Sequence, residues 1–244
     1  MFTEKKDDLF AQQLEQLSNF KFDEKVAGVF PDMLKRSIPG YPAIINMIGT
    51  LTGNYAQRGS NLYDLGCSLG AGALSMHHGL GVEGCHIYAI DNSQAMIDKC
   101  RRQLKEIDGA KAITCKCEDI TKSIIENASV VVMNFTLQFI SPDLRCSLLK
   151  KIYKGMNKGG ILILSEKVKF ADEHVNSLLI DIYHAFKKAN GYSELEISQK
   201  RTALENVLIP ETVKQHRDRL VRAGFTSVDQ WFQCFNFMSM MAIK

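Results

Sequence analysis

Three carboxylates recur along the chain at nearly equal intervals, each at the end of a short apolar run. Asp64 follows Leu62-Tyr63, Asp91 follows Ile87-Tyr88-Ala89-Ile90, and Asp119 stands just past Ile113-Thr114-Cys115. The intervals are 27 and 28 residues, the length of one strand–helix–strand unit. A chain that repeats this unit builds a parallel sheet covered by helices, with its strand ends aligned along one edge. Ligands of such sheets bind outside the carboxyl ends of the strands. The three acids therefore predict one crevice whose wall carries negative charge.

The first junction, Tyr63-Asp64-Leu65-Gly66-Cys67-Ser68-Leu69-Gly70-Ala71-Gly72, reads as strand, tight turn and helix start. Its glycines permit a sharp turn and a close approach of ligand to backbone. Two kinds of cofactor use such a turn together with an acid on the second strand: a dinucleotide and S-adenosylmethionine. The dinucleotide fingerprint is G-x-G-x-x-G, with the pyrophosphate on the helix N-terminus. Here a carboxylate precedes the first glycine, and Ser68 stands where the second glycine belongs. An acid at that point repels a pyrophosphate and suits an ammonium and a sulfonium. Asp91 is placed for the ribose hydroxyls, and Asp119 for the exocyclic amine of adenine. Three acids on three successive strands favour S-adenosylmethionine.

The remaining segments extend the pattern. Residues 128–133 form a fourth strand, apolar throughout as a strand covered on both faces should be, and it ends at Asn134. A helix over 143–155 leads to a fifth strand at 161–165, closed by Glu166-Lys167. Helices are expected over 72–78 and 93–107 between the earlier strands. Before them, residues 1–20 read as a mobile arm, 22–36 as a helix interrupted at Pro31, and 43–55 as an amphipathic helix. The Pro39-Gly40 turn between these helices carries Tyr41, which either caps a ligand or packs on the next helix. After the fifth strand the alternation stops. Helices are expected over 172–190 and 193–206, and a third with Pro210 near its first turn and Gly224 at its end. Two last strands follow, 227–237 and 238–243. The organisation expected is an N-terminal arm with helices over 1–57 and a ligand-binding domain over 58–244. Within the latter, 172–207 is inserted as a lid or oligomer surface.

Composition narrows the function classes. A net charge of +3, with basic residues mixed among acids, gives no stripe for nucleic acid. No apolar run reaches the roughly 18 residues of a membrane span. The N-terminus carries early charge and no apolar core, unlike a secretory leader. Cysteines are seven, an odd number, and several lie inside apolar patterns, which suits a reducing cytoplasm. Cys115 and Cys117 do not have a metal-ligand spacing, and no metal is expected.

Over nearly its whole core the sequence resembles the class I S-adenosylmethionine-dependent methyltransferases. More narrowly it resembles the carboxy-S-adenosyl-L-methionine synthases of the bacterial tRNA wobble-uridine (uridine-5-oxyacetic acid) pathway. The strings that carry this are FDEKVAGVFPDMLKRSIPGY (22–41), YDLGCSLGA (63–71), IDNSQAMI (90–97), VMNFTLQF (132–139), LSEK (164–167), FKKANGYSELEISQKRTALENV (186–207) and WFQCFNF (231–237). The resemblance implies a Rossmann-like α/β fold: a seven-stranded, mostly parallel sheet with an antiparallel last strand, a helical N-terminal segment and a helical lid. It implies a reaction of S-adenosylmethionine with prephenate that gives carboxy-S-adenosylmethionine, phenylpyruvate and water. In the route proposed for the family, the hydroxyl leaving prephenate serves as base, and the sequence offers no His or Cys poised near the strand tips. His77 and His78 are expected at the surface.

The resemblance also assigns roles. Tyr41 packs on or hydrogen-bonds the ligand. Gly66, Cys67 and Ser68 offer backbone around its methionyl part. Asp91 takes the ribose hydroxyls with Asn92 beside it, Asp119 and Ile120 frame the adenine, and Asn134 lines the reacting end. Asp64 orients the turn or acts through its charge. Arg201 is the cation that recognises the new carboxylate, supplied by the neighbouring subunit of a homodimer; its fork can bind a carboxylate in bidentate fashion. The alternative for Asn134 is a helix cap after the fourth strand, and without the resemblance Arg201 reads as a solvated helix residue. The product implies a functional link to a tRNA carboxymethyltransferase, with no direct contact of this chain with nucleic acid. Two other readings are an ordinary methyltransferase acting on a small molecule or tRNA, and a non-catalytic cofactor-binding partner.

Overall fold

The apolar runs pair into one sheet in the computed structural model, which describes residues 5–14, 16–107 and 109–244. Its strands are β1 (Asn61–Leu65), β2 (His86–Asp91), β3 (Ile113–Cys117), β4 (Ala128–Asn134), β5 (Met156–Lys167), β6 (Ser227–Cys234) and β7 (Phe237–Ile243). They lie in the order β3-β2-β1-β4-β5-β7-β6. Pairing is parallel from β3 to β5, and β7 runs antiparallel to both of its neighbours. The chain winds outward from β1 in both directions, so a crevice opens at the β1 tip, where the winding reverses.

Alternation along the strands divides the core between two faces. Tyr63, Leu65, Val131 and Met133 point to one side and pack with α5 (Pro142–Gly155) and α8 (Val213–Ala223). Leu62, Val130 and Val132 point to the other, toward α2 (Tyr41–Tyr55) and α3 (Ala71–Gly79). This period of two buries both sides of each central strand. The remaining helices are α1 (Glu24–Ser37), α4 (Gln94–Lys105), α6 (Glu173–Ala189) and α7 (Glu194–Leu204). None of the described helices is long and apolar enough to cross a membrane.

Several expectations are corrected. Helix α1 is not interrupted at Pro31 but runs through it. Proline cannot donate to the carbonyl of Ala27, one turn earlier. The Lys99 ammonium donates to that carbonyl instead, at 2.6 Å. The arm is tied down rather than mobile in its described residues. Asp7, 1% exposed, accepts from Tyr192 Oη at 2.5 Å and pairs with Lys200 Nζ at 3.3 Å. Gln199 of α7 donates to the carbonyls of Phe10 and Gln12. Pro210 precedes α8 instead of opening it. Thr212 is the cap, in a reciprocal box with Gln215. Strand β5 is longer than expected, because Met156 already pairs with Ala128. His78 is exposed, whereas His77 is half-buried with Nδ1 unpartnered.

Candidate active site

The carboxyl ends of β3, β2, β1, β4 and β5 open into one cavity of about 900 Å³. Strand order fixes the sequence of chemical groups along it. Asp119 lies beyond β3, Asp91 ends β2, Gly66, Cys67 and Ser68 follow β1, Asn134 ends β4, and Lys167 ends β5. At about 4.8 Å between neighbouring strands, the five tips span roughly 19 Å. Tyr41, Asn92 and Ile120 line the same cavity. Nine of the ten expected binding residues are thus brought together. The tenth, Arg201 on α7, is exposed and does not line its own chain's cavity.

The β1 turn is shaped by backbone conformation. Gly66 has φ +78°, and a Cβ there would collide with Thr136. The Gly66 and Cys67 amides donate to Ile90 O, which ties the turn to β2. Ser68 adopts φ 49° without being glycine, and Phe135, next to Asn134, adopts φ 60°. Non-glycine residues held in this region concentrate at ligand sites.

The acids are organised differently from one another. Asp91 accepts from the amides of Ser68 and Ser93, both at 2.9 Å, so one carboxylate joins the β1 turn to the start of α4. It retains lone pairs for two hydroxyls. Burial pushes its pKa up, against the pull of those amides. Asp64 lies beneath α3. Gly70, the cap of that helix, has no side chain, and Asp64 Oδ2 accepts from the third-residue amide, Ala73 N, at 2.7 Å. Gly72 leaves room for this, since a Cβ there would lie 2.7 Å from the same oxygen. Full burial raises the Asp64 carboxyl to about 7. Tyr41 is raised too, by burial and then by Asp64. Asp119 is held low by the Thr121 hydroxyl and amide, which both donate to its Oδ1.

At the other end, Asn134 Oδ1 is buried with no partner, an acceptor that a bound group must satisfy. The loop after β4 is clamped to the β5 tip. Glu166, fully buried, accepts from the amides of Leu137 and Gln138, while Gln138 Oε1 accepts from Lys167 N. Lys167, Lys200 and Tyr183 also line the cavity and were not singled out from the sequence. The signal for Lys167 is its place at the end of a parallel strand, the position that the ligand-binding acids occupy on the earlier strands.

The residues fit S-adenosylmethionine: a cradle only glycine permits, a buried acid with free lone pairs, and an unpartnered amide oxygen. The family described as "Methyltransferase domain" matches residues 62–160. The chain is 55% identical over 243 residues to a carboxy-S-adenosyl-L-methionine synthase from Geobacter sp., covering 99% of this chain and 100% of that one. This chain belongs to the carboxy-S-adenosyl-L-methionine synthase family. A synthase of the same name from Vibrio parahaemolyticus is 55% identical over 238 residues, 98% of this chain and 97% of the relative. Among solved structures, magnesium protoporphyrin IX methyltransferase from Synechocystis with bound S-adenosylhomocysteine superposes with a TM-score of 0.61 at 14% identity. That alignment covers 87% of each chain and shows the shared fold. Membership in the synthase family makes the chain an enzyme whose fold is that of the class I methyltransferases.

Proposed function

We propose that the chain joins the carboxyl carbon of prephenate to the methyl carbon of S-adenosylmethionine, giving carboxy-S-adenosylmethionine, phenylpyruvate and water. The observation that carries the reading is a single cavity that is acidic from β3 to β1 and cationic at β5. An ordinary methyltransferase needs only the first half. A carboxylating enzyme must also attract an anionic donor and hold an anionic product.

Each residue then has a task. Asp119 and Ile120 frame the adenine, and Asp91, with Asn92 beside it, holds the ribose hydroxyls. Gly66, Cys67 and Ser68 present backbone to the methionyl part, with Asp64 and Tyr41 next to its ammonium. Asn134 marks the reacting end. Phe135, Tyr183 and Phe237 close that end with aromatic surface and keep water from the released carbon dioxide. S-adenosylmethionine supplies an acidified methyl group. No protein base is assigned; the hydroxyl leaving prephenate takes the proton.

Arg201 is exposed, yet its charge lowers the pKa of Lys167, Lys187 and His184, so it stands near the cationic end. In the homodimer we propose, it reaches the cavity of the second copy and binds the new carboxylate. Mixing Arg201→Ala with Asp91→Ala protein tests this. A mixed dimer has one cavity complete in both respects and regains activity, whereas no regain would place Arg201 in its own cavity. The product is a carboxymethyl donor for tRNA wobble uridine, used by a separate transferase. We place the reaction in the cytoplasm, where the seven free cysteines remain reduced. Incubation with both substrates should give a cofactor heavier by one carbon dioxide, read by mass spectrometry. Accumulation of S-adenosylhomocysteine instead would identify an ordinary methyltransferase.

A further inference from the structure

Beyond Asn134 the cavity ends at a group of charges that the acid-lined half does not explain. Lys167 closes β5, and Lys187 lies one turn after Tyr183 on α6. Both ammonium groups approach the same aromatic ring: Lys167 Nζ lies 4.9 Å from the Tyr183 ring centre and Lys187 Nζ 4.8 Å. Lys187 is 5% exposed. Among the described residues neither ammonium donates a hydrogen bond or pairs with a carboxylate. The charges that act on Lys187 are Lys167, Lys200 and Arg201, all cations. Lys200, by contrast, has Asp7 as its partner.

Buried charges are ordinarily paired, because the loss of hydration is otherwise uncompensated. Lys187 departs from this rule, and Lys167, half-buried at the cavity wall, adds a second cation at the same ring. The ring face contributes a favourable interaction and cannot neutralise either charge. The fold pushes Lys167 down to about 8 and Lys187 to about 7, in each case chiefly through burial. An arrangement of this kind is stable as a site awaiting an anion. Access is direct for Lys167 and Tyr183, which line the cavity. An aromatic path, Phe135 to Phe237 at 5.8 Å and Phe237 to Tyr183 at 5.1 Å, connects the pair with the residue that follows Asn134 at the end of β4.

We propose that Lys167 and Lys187 form the subsite that receives a carboxylate of the carboxyl donor, with Lys167 making the contact and Lys187 supplying a second charge at the same Tyr183 ring. The assignment rests on the reaction proposed above and names residues for its second substrate. The ligand class is a small organic acid with an apolar ring. The carboxylate meets the lysines, and the ring meets Tyr183, Phe237 and Phe135. Lys167 lies on the opposite side of Asn134 from Asp91 in strand order, so the donor and the ribose occupy opposite sides of the reacting end.

The test uses Lys167→Met and Lys187→Met in the full chain. Methionine preserves most of the volume and removes the charge. Calorimetric titration of the S-adenosylhomocysteine complex with prephenate should show binding to the wild type, a loss of about thirtyfold in Lys167→Met and about fivefold in Lys187→Met. Affinity for S-adenosylhomocysteine should stay within about twofold. Removing unpaired buried charge should also leave the melting temperature unchanged or raise it. A purely structural lysine would give the reverse, a lower melting temperature with prephenate affinity intact, and that result overturns the subsite. So does a wild type that binds no prephenate. If the wild type binds prephenate and forms no carboxylated cofactor, the reaction fails while the subsite stands. If carboxylated cofactor forms with the same prephenate dependence in all three proteins, the subsite fails while the reaction stands.

Discussion

The two ends of the cavity are built from the same structural device and carry opposite charge. From β3 to β1 the strand tips bear Asp119, Asp91 and Asp64; at β5 the tip bears Lys167, with Lys187 at the same Tyr183 ring. The acids are held by backbone: Asp91 by two amides, Asp64 by the first turn of α3, and Asp119 by Thr121. Among the described residues the lysines have no such partners, only an aromatic ring. The acidic end is thus preorganised for a cation by the main chain. The basic end is held in a state that a bound anion improves. A cationic cofactor and an anionic donor can then occupy one cavity without exchanging places.

The largest effect that separates the ends should come from Asp91→Asn. Loss of the charged acceptor, with its two amides and the ribose hydroxyls, should weaken S-adenosylmethionine binding about a hundredfold. Prephenate titrated without cofactor should bind as before; an equal loss for both ligands would mean the ends are not separable. Next, Arg201→Lys should weaken carboxy-S-adenosylmethionine about tenfold while leaving S-adenosylmethionine nearly unchanged, since a point charge replaces a planar fork. Equal losses in calorimetry would remove Arg201 from carboxylate recognition.

A smaller effect concerns pH. The Asp64 carboxyl lies at about 7 in the free protein because of burial. An ammonium beside it favours the ionised form, so binding lowers this pKa and expels a proton. Affinity for S-adenosylmethionine should therefore fall as pH drops from 8 to 6, by at most about tenfold over the whole interval. Asp64→Asn should flatten the dependence, and a slope that survives in that variant would assign it to another group. The smallest effect serves as a control outside both ends. Lys99→Met removes the donor to the Ala27 carbonyl that Pro31 leaves open, and should cost about 1 kcal/mol in chemical denaturation with both ligand affinities intact. A change in either affinity would show that α1 shapes the cavity.

Much of the acidic end was readable from the chain because its logic is local. A carboxylate at the end of an apolar run, repeated at the interval of one structural unit, gives its own position in the sheet. The basic end resisted for the opposite reason. Lys167 ends a strand as the acids do, but Lys187 follows it after a loop and most of a helix and looks like an ordinary surface lysine in sequence. Nothing local marks Lys187 as 5% exposed, since that depends on α6 packing against the β5 tip and Phe237. The arm misled in the same way. Asp7 lies in a polar stretch typical of solvated termini, and its burial comes from partners 185 and 193 residues away.

By itself the sequence determined the parallel sheet, the glycine turn and the choice of a cationic cofactor over a dinucleotide. Each follows from periodicity or from the charge of neighbours in the chain. Tertiary structure alone decided which carboxylates take up hydrogen bonds from which amides, and that the arm clasps the helix carrying Lys200. It alone gathered the unpaired lysines around one ring. Burial and long-range pairing set those features, because the cost of a buried charge is fixed by what surrounds it in space.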